Sequence, residues 1–137
     1  MDEQAKDLAL YRLEKARQCA KSAEYVMQIN DYNLVTNRAY YAIFHGMRAV
    51  LALERKDFEK HSGVIGYFRK EYIKTHVFPV AASAIIGNAF DARNESDYKD
   101  WCDVTKEDAQ KHLEYALQFL AMVEEYLRTK DIHSRNR

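Results

Sequence analysis

Residues 32–54 have the sequence YNLVTNRAYYAIFHGMRAVLALE and form the most apolar segment of the chain. Apolar residues recur in it at spacings of three and four, at Tyr40, Ile43, Met47 and Val50. This spacing places the four side chains on one face of an α-helix. A neighbouring face carries Tyr41, Phe44 and Leu51. Because a helix that is apolar over most of its circumference belongs inside a bundle, the segment predicts a central helix.

Helical periodicity extends to both sides of this central segment. It predicts a first helix over roughly residues 4–30, after which Asn30-Asp31 breaks the pattern and can cap the central helix. It also predicts a short helix over 62–75 with Ser62 as its N-cap, a fourth helix with Pro79 in its first turn, and a last helix capped by Thr105. Nothing reads as a strand, and the chain has only 4 Gly and 1 Pro. We therefore expect an all-α, up-and-down four-helix bundle with one or two extra short helices. A single domain would cover residues 1–130, followed by a polar tail over 131–137.

Composition limits the functional classes. The chain has 137 residues, and its 21 Lys and Arg balance 21 Asp and Glu. Binding to nucleic acid through bulk charge is therefore disfavoured, although a local basic patch is compatible with this balance. Apolar runs are too short to span a membrane, and the N-terminus lacks the apolar core of a secretory signal. We expect a cytoplasmic protein without membrane contact, with Cys19 and Cys102 as free thiols.

Several catalytic signatures are missing from the sequence. No Glu-x-x-His pair occurs, so a di-metal centre of the ferritin type is not expected. The four glycines form no phosphate-binding loop, and neither a G-x-S-x-G nor a C-x-x-C motif is present. The sequence therefore predicts no metal site and no cofactor.

Polar side chains share one face of the central helix. Arg38, Tyr41, His45 and Arg48 recur at spacings of three, four and three. Such groups are costly to bury without partners. Either they hydrogen-bond to acids on neighbouring helices, or they form a basic, aromatic-lined groove for phosphate or RNA.

A second polar segment, residues 93–98, reads RNESDY and is expected between the fourth helix and the last. Arg93 could clamp a phosphate in a bidentate manner. The ordinary alternative is an ion pair between Arg93 and Asp97, one helical turn apart.

Three segments together suggest a family. They are NRAYYAIFHGMRAVLALE, KHSGVIGYFRKEYIK and ARNESDYKDWCDVTKEDAQKHLEYA. The chain resembles the small prokaryotic HEPN domains over roughly residues 5–127. The resemblance implies a helical bundle that usually forms homodimers, and many members are metal-independent ribonucleases. Some act as toxins or defence effectors neutralised by a minimal nucleotidyltransferase, which can modify a Tyr beside the catalytic motif with AMP.

The catalytic motif of that family is an Arg, a polar residue directly after it, and a His four to six residues further on. Arg93 and Asn94 match its first half, but the window for the His holds Tyr98, Lys99 and Asp100. Imidazole is the side chain best suited to moving protons near neutral pH. Without a histidine in this window, RNA binding could persist while cleavage is lost. Other pairs have a similar spacing: Arg38–His45, Arg55–His61, Arg69–His76 and Arg128–His133. We take His45 as the best substitute and His61 as the second.

The resemblance and these residues lead to one main prediction and two alternatives. The main prediction is an RNA- or nucleotide-binding homodimer within a toxin–antitoxin or defence module, paired with a nucleotidyltransferase and carrying a degenerate ribonuclease motif. The alternatives are an active ribonuclease that uses Arg93 with a His from another helix, and a non-catalytic interaction module. The candidate catalytic residues are Arg93, Asn94 and His45. The candidate binding residues are Arg38, Tyr41, Arg48, His61, Asp97 and Tyr98.

Overall fold

The computed structural model describes residues 2–132. It contains five helices: α1 (Glu3–Gln28), α2 (Tyr32–Ala52), α3 (His61–Phe68), α4 (Ala81–Tyr98) and α5 (Lys106–Thr129). A π-helical turn at Arg69–Ile73 continues α3. No strand occurs within these described residues. The all-α prediction is therefore confirmed.

Helix α2 lies at the centre and contacts all four of the other helices. Its predicted inward face is closed to solvent, because Tyr40, Ile43, Met47 and Val50 are each at most 1% exposed. Burying a large apolar side chain contributes about 1.5–3 kcal/mol, so this face is a main source of stability. The prediction of a central helix is confirmed, and the other four helices pack against α2.

Two predicted helix starts agree with the structure. The Asp31 carboxylate accepts from the backbone N–H of Leu34 at 3.3 Å and caps α2. The Thr105 hydroxyl accepts from the backbone N–H of Asp108 at 3.1 Å and caps α5. Each cap satisfies an N–H group that has no partner inside its own helix.

Two other predicted starts are wrong. Helix α3 begins at His61 rather than after Ser62, because the Lys60 carbonyl already accepts from the N–H of Val64 at 3.4 Å. Pro79 lies in the turn before α4 rather than in its first turn, and its carbonyl accepts from the N–H of Ala82 at 2.9 Å.

The placement of residues 93–98 after the fourth helix is also wrong, because they form the last turns of α4. Their composition favours a loop, yet contacts with α2 hold them. The Ser96 hydroxyl donates to the Asn33 carbonyl at 3.4 Å, and the Asn37 side-chain amide donates to Asp97 at 3.0 Å. Tertiary packing overrides weak helix propensity here, and Arg93 is consequently fixed on a helix.

The C-terminal end of the described chain belongs to the core. Ile132, which lies in the predicted polar tail, is 2% exposed, and its N–H donates to the Leu127 carbonyl at 2.8 Å. Residues 133–137 lie outside the described range, and the predicted Arg128–His133 pair therefore includes a residue outside it. No helix within residues 2–132 has the length and apolar character needed to cross a bilayer.

Candidate functional site

The guanidinium of Arg93 lies in a cage of aromatic rings. The residue is 8% exposed, and its Cζ lies 4.6 Å from the centre of the Tyr40 ring and 5.6 Å from that of Tyr41. Phe90 and Tyr98 each lie 5.9 Å away. Such cation–π contacts stabilise a charge without neutralising it. Among residues 2–132, no carboxylate forms an ion pair with Arg93, and its buried Nε has no hydrogen-bond partner.

His61 reaches the same cage from the start of α3. Its Nδ1 lies 2.8 Å from the Tyr40 hydroxyl, and its ring stacks on Phe44 with 4.0 Å between centres. Tyr40 therefore contacts both Arg93 and His61. Burial, followed by the positive charges of Arg93 and Arg48, lowers the pKa of His61. The imidazole is consequently neutral at neutral pH and can accept a proton.

The Tyr40 phenol is a hydrogen-bonding group rather than an acid. Burial raises the pKa of Tyr40 to about 12, and the charge of Arg93 acts in the opposite direction. The hydroxyl therefore stays protonated near neutral pH. When Nδ1–H of His61 donates to the Tyr40 hydroxyl oxygen, the other imidazole nitrogen, Nε2, keeps its lone pair and is the atom that can accept a proton. Within the described residues, Nε2 has no hydrogen-bond partner.

The other substitute imidazole, His45, packs against Tyr41 and Phe44. Its ring centre is 6.1 Å from Tyr41 and 5.8 Å from Phe44, and its buried Nδ1 has no partner among residues 2–132. Burial, followed by the charges of Arg48, Lys15 and Arg38, lowers the pKa of His45 to about 4. Of the two substitute imidazoles, His61 is the one hydrogen-bonded to the ring nearest Arg93.

The remaining cations of α2 have different surroundings. The Arg48 Nη2 donates to Asp57 at 2.8 Å, and Arg12 of α1 donates to the same carboxylate at 3.0 Å. Arg38 instead donates to the Asn37 side chain at 3.0 Å and lies 5.4 Å from the Tyr41 ring centre. An acidic partner is thus present for Arg48. Within residues 2–132, Arg38 forms no ion pair.

We expect Asp57→Asn to lower the free energy of unfolding by about 1 to 3 kcal/mol, because Arg12, which is 8% exposed, would lose its counter-charge. The hydrogen bond from Arg48 lowers the pKa of Asp57 below 3.8, with Arg12 adding to this effect. The stabilisation that the Asp57 carboxylate provides is therefore present above pH 3.8 and is lost as the pH falls through the lowered pKa of Asp57. Urea unfolding at neutral and acidic pH measures it, with the exposed Asp103→Asn as control. Equal unfolding free energies of wild type and Asp57→Asn at neutral pH would contradict this expectation.

The other candidate residues surround Arg93 on the last turns of α4. Asn94 is half-buried beside it, and Tyr98 is 75% exposed with its ring at the edge of the cage. Asp97 accepts from Asn37 of α2, and no ion pair of the described residues joins it to Arg93. Helices α2, α3 and α4 therefore bring together four of the candidates: Tyr41, His61, Arg93 and Tyr98.

Sequence reasoning missed the rings that build the cage. Helical periodicity places Tyr40 on the apolar face of α2, but its ring is also a neighbour of Arg93, as is the ring of Phe90 on α4. One signal was available, because a buried Tyr hydroxyl normally finds a hydrogen-bond partner. That partner is His61, which lies 21 residues further along the chain. Periodicity carries no information on contacts at such separation.

Across residues 2–132, no group of three or more His, Cys, Asp or Glu side chains converges in a way that could hold a metal ion. Cys19 and Cys102 are both half-buried free thiols. Burial raises the pKa of Cys19, so this thiol is protonated at neutral pH.

Comparison with known proteins identifies the family. The model of the HEPN domain matches residues 9–126. "Putative toxin MJ0142" of Methanocaldococcus jannaschii is 32% identical over 120 residues, which are 88% of this chain and 82% of the relative. "UPF0332 protein" of Thermotoga maritima is 28% identical over 127 residues, which are 93% of this chain and 96% of the relative. A second M. jannaschii protein, "Putative toxin MJ0605", is 27% identical over 116 residues, or 85% of this chain and 86% of the relative. The chain therefore belongs to the HEPN domain family.

Proposed function

We propose that this protein is a toxin-like HEPN protein that binds RNA and holds the phosphodiester backbone at Arg93. The observation that carries this proposal is the buried guanidinium without an acidic partner among the described residues. A buried charge without a counter-charge is strongly unfavourable. An RNA phosphate would supply that charge and could accept two hydrogen bonds from the guanidinium.

The surroundings of Arg93 support a single-stranded ligand. Tyr41 is half-buried, Tyr98 is 75% exposed, and Arg38 lies over the Tyr41 ring without an acidic partner in the described range. Exposed rings beside cations form the usual surface for unpaired bases and their phosphates. The net charge of zero makes this local patch, rather than the whole surface, the source of affinity.

The toxin-like role and the partners rest on relatives and on the resemblance. Two relatives carry the name "Putative toxin", and we transfer that role here as a proposal. We likewise propose a homodimer and a minimal nucleotidyltransferase as partner. Trp101 is 99% exposed and follows Tyr98 closely in sequence, which places two open aromatic rings where either partner could pack.

Binding is tested by titrating the purified protein against a labelled single-stranded RNA in EDTA. We expect affinity for RNA that weakens as salt rises from about 50 to 200 mM, because each phosphate contact releases counterions. DNA of the same sequence is the matched ligand that lacks the 2′-hydroxyl. A folded, monodisperse protein that binds neither RNA nor a nucleotide would overturn the proposal and favour a non-catalytic interaction module.

A second candidate function is metal-independent RNA cleavage, and the position of His61 favours it. In this reaction the ribose 2′-hydroxyl attacks the adjacent phosphorus and its proton passes to Nε2 of His61. A bond forms from the 2′-oxygen to phosphorus, and the bond to the 5′-oxygen breaks, with that oxygen taking a proton from water. Arg93 stabilises the negative charge that develops on phosphate. The requirement for a 2′-hydroxyl predicts that DNA is not cleaved.

The pH dependence of cleavage follows from the lowered pKa of His61. Because the neutral imidazole is the base, kcat/KM should fall as the pH drops through the pKa of His61, and burial places that pKa below the ordinary histidine value of 6.5. The profile is measured between about pH 4 and pH 8 in EDTA. A fall that is centred at or above the ordinary histidine value would show that His61 is not the base.

A further inference from the structure

A groove with a volume of about 370 Å³ lies between α3 and α4, next to the Arg93 cage. Its apolar walls are Ile65, Ile86 and Phe90, and its polar lining includes Arg69 and Asp91. The ring of Phe90 lies 5.9 Å from the Arg93 guanidinium, and Ser62 of the groove directly follows His61. The groove therefore lies beside Arg93, the candidate phosphate-binding residue.

Two polar groups in the groove have unused hydrogen-bonding capacity. Arg69 Nη2 donates to the Ser83 carbonyl at 2.9 Å, whereas its buried Nε has no acceptor among residues 2–132. Asp91 is exposed and forms no ion pair within that range. The groove is thus lined by a guanidinium whose hydrogen-bonding capacity is only partly used and by a carboxylate.

Two glycines, Gly66 and Gly87, leave room for the Arg69 side chain and for a ligand in the groove. A Cβ at Gly87 would lie 2.9 Å from Arg69 Nη2, so Gly87 lets the guanidinium lie against α4. Asp91 is one helical turn further along α4 than Gly87, and residues at this separation lie about 6 Å apart on one face of a helix. A Cβ at Gly66 would meet nothing within 4 Å, so this side of the groove is empty.

We propose that this groove binds a guanine base of the RNA whose phosphate is held at Arg93, an inference that rests on the proposed function. The Watson–Crick edge of guanine presents two neighbouring N–H donors, which match the two oxygens of Asp91. Its O6 and N7 are acceptors that match a guanidinium. Phe90 supplies a face on which the base stacks. Adenine lacks both the ring N–H and the carbonyl, so Asp91 and Arg69 discriminate against it.

The test compares two RNA probes, an oligouridine that carries one guanine and the same oligouridine that carries one adenine. Wild type should bind the guanine probe more tightly by about 10-fold, the usual scale for one bidentate base contact. Asp91→Asn should remove this preference and retain affinity for oligouridine. The matched control for charge is Glu95→Gln, which removes a carboxylate from the next turn of α4 outside the groove.

A second variant fills the groove without disturbing the packing. Gly66→Leu projects into empty space, so the protein should fold and lose the guanine preference, whereas the smaller Gly66→Ala should keep it. Equal binding of both probes by wild type would overturn the guanine inference alone. A preference that survives in both Asp91→Asn and Gly66→Leu would also overturn it. Failure to bind any RNA would overturn the proposed function itself.

Discussion

Replacing Arg93 by methionine is expected to weaken RNA binding by about 10- to 100-fold, the loss that corresponds to one or two charged hydrogen bonds. The same variant should unfold at an equal or higher temperature than wild type. Arg93 is 8% exposed and has no acidic partner among the described residues, so methionine removes a buried charge and keeps most of the packing volume. Fluorescence anisotropy and thermal unfolding measure the two effects separately.

Two further variants show whether geometry or bulk charge matters at this position. Arg93→Lys keeps the charge and loses the planar fork, so its affinity should fall between those of wild type and the methionine variant. Arg128→Met removes an exposed cation that pairs with Glu125 on α5, and its affinity should stay near that of wild type. Unchanged RNA affinity in Arg93→Met, together with a lower unfolding temperature, would mean that Arg93 stabilises the aromatic cage and does not bind RNA.

Replacing His61 by asparagine is expected to reduce RNA cleavage by about 100- to 10,000-fold, the usual contribution of a general base. RNA affinity should change little, because Arg93 and the exposed rings are untouched. Asparagine retains a hydrogen-bonding group near the Tyr40 hydroxyl, so the cage should keep its shape. Single-turnover cleavage of a labelled RNA in EDTA measures the chemical step, and anisotropy measures the binding.

His45→Asn is the control that separates the two imidazoles near the cage. We expect it to retain cleavage, because His45 contacts Tyr41 and Phe44 rather than the Tyr40 hydroxyl. Loss of cleavage in His45→Asn with full activity in His61→Asn would assign the base to His45 and contradict our proposal. A wild type that binds RNA and leaves it intact in EDTA would overturn the ribonuclease proposal and leave binding as the function.

Local sequence patterns account for most of the fold. The spacing of Tyr40, Ile43, Met47 and Val50 was sufficient to predict the buried face of α2, because helical periodicity is a property of neighbouring residues. The caps at Asp31 and Thr105 were predictable for the same reason, since each side chain acts three residues along its own chain. The likeness to HEPN domains was also visible in the sequence, and the family match confirms it.

The candidate site depended on contacts between distant parts of the chain. Residues 93–98 look like a loop in sequence, yet they continue α4 and are hydrogen-bonded to Asn33 and Asn37 of α2. The Tyr40 hydroxyl that joins α2 to His61, and the rings that surround Arg93, come from separate helices. The sequence by itself determined which helices form and which faces they bury, because those features are local. Only the tertiary structure decided that Arg93 is a buried cation beside a histidine, because burial and the absence of a counter-charge depend on the packing of α2, α3 and α4.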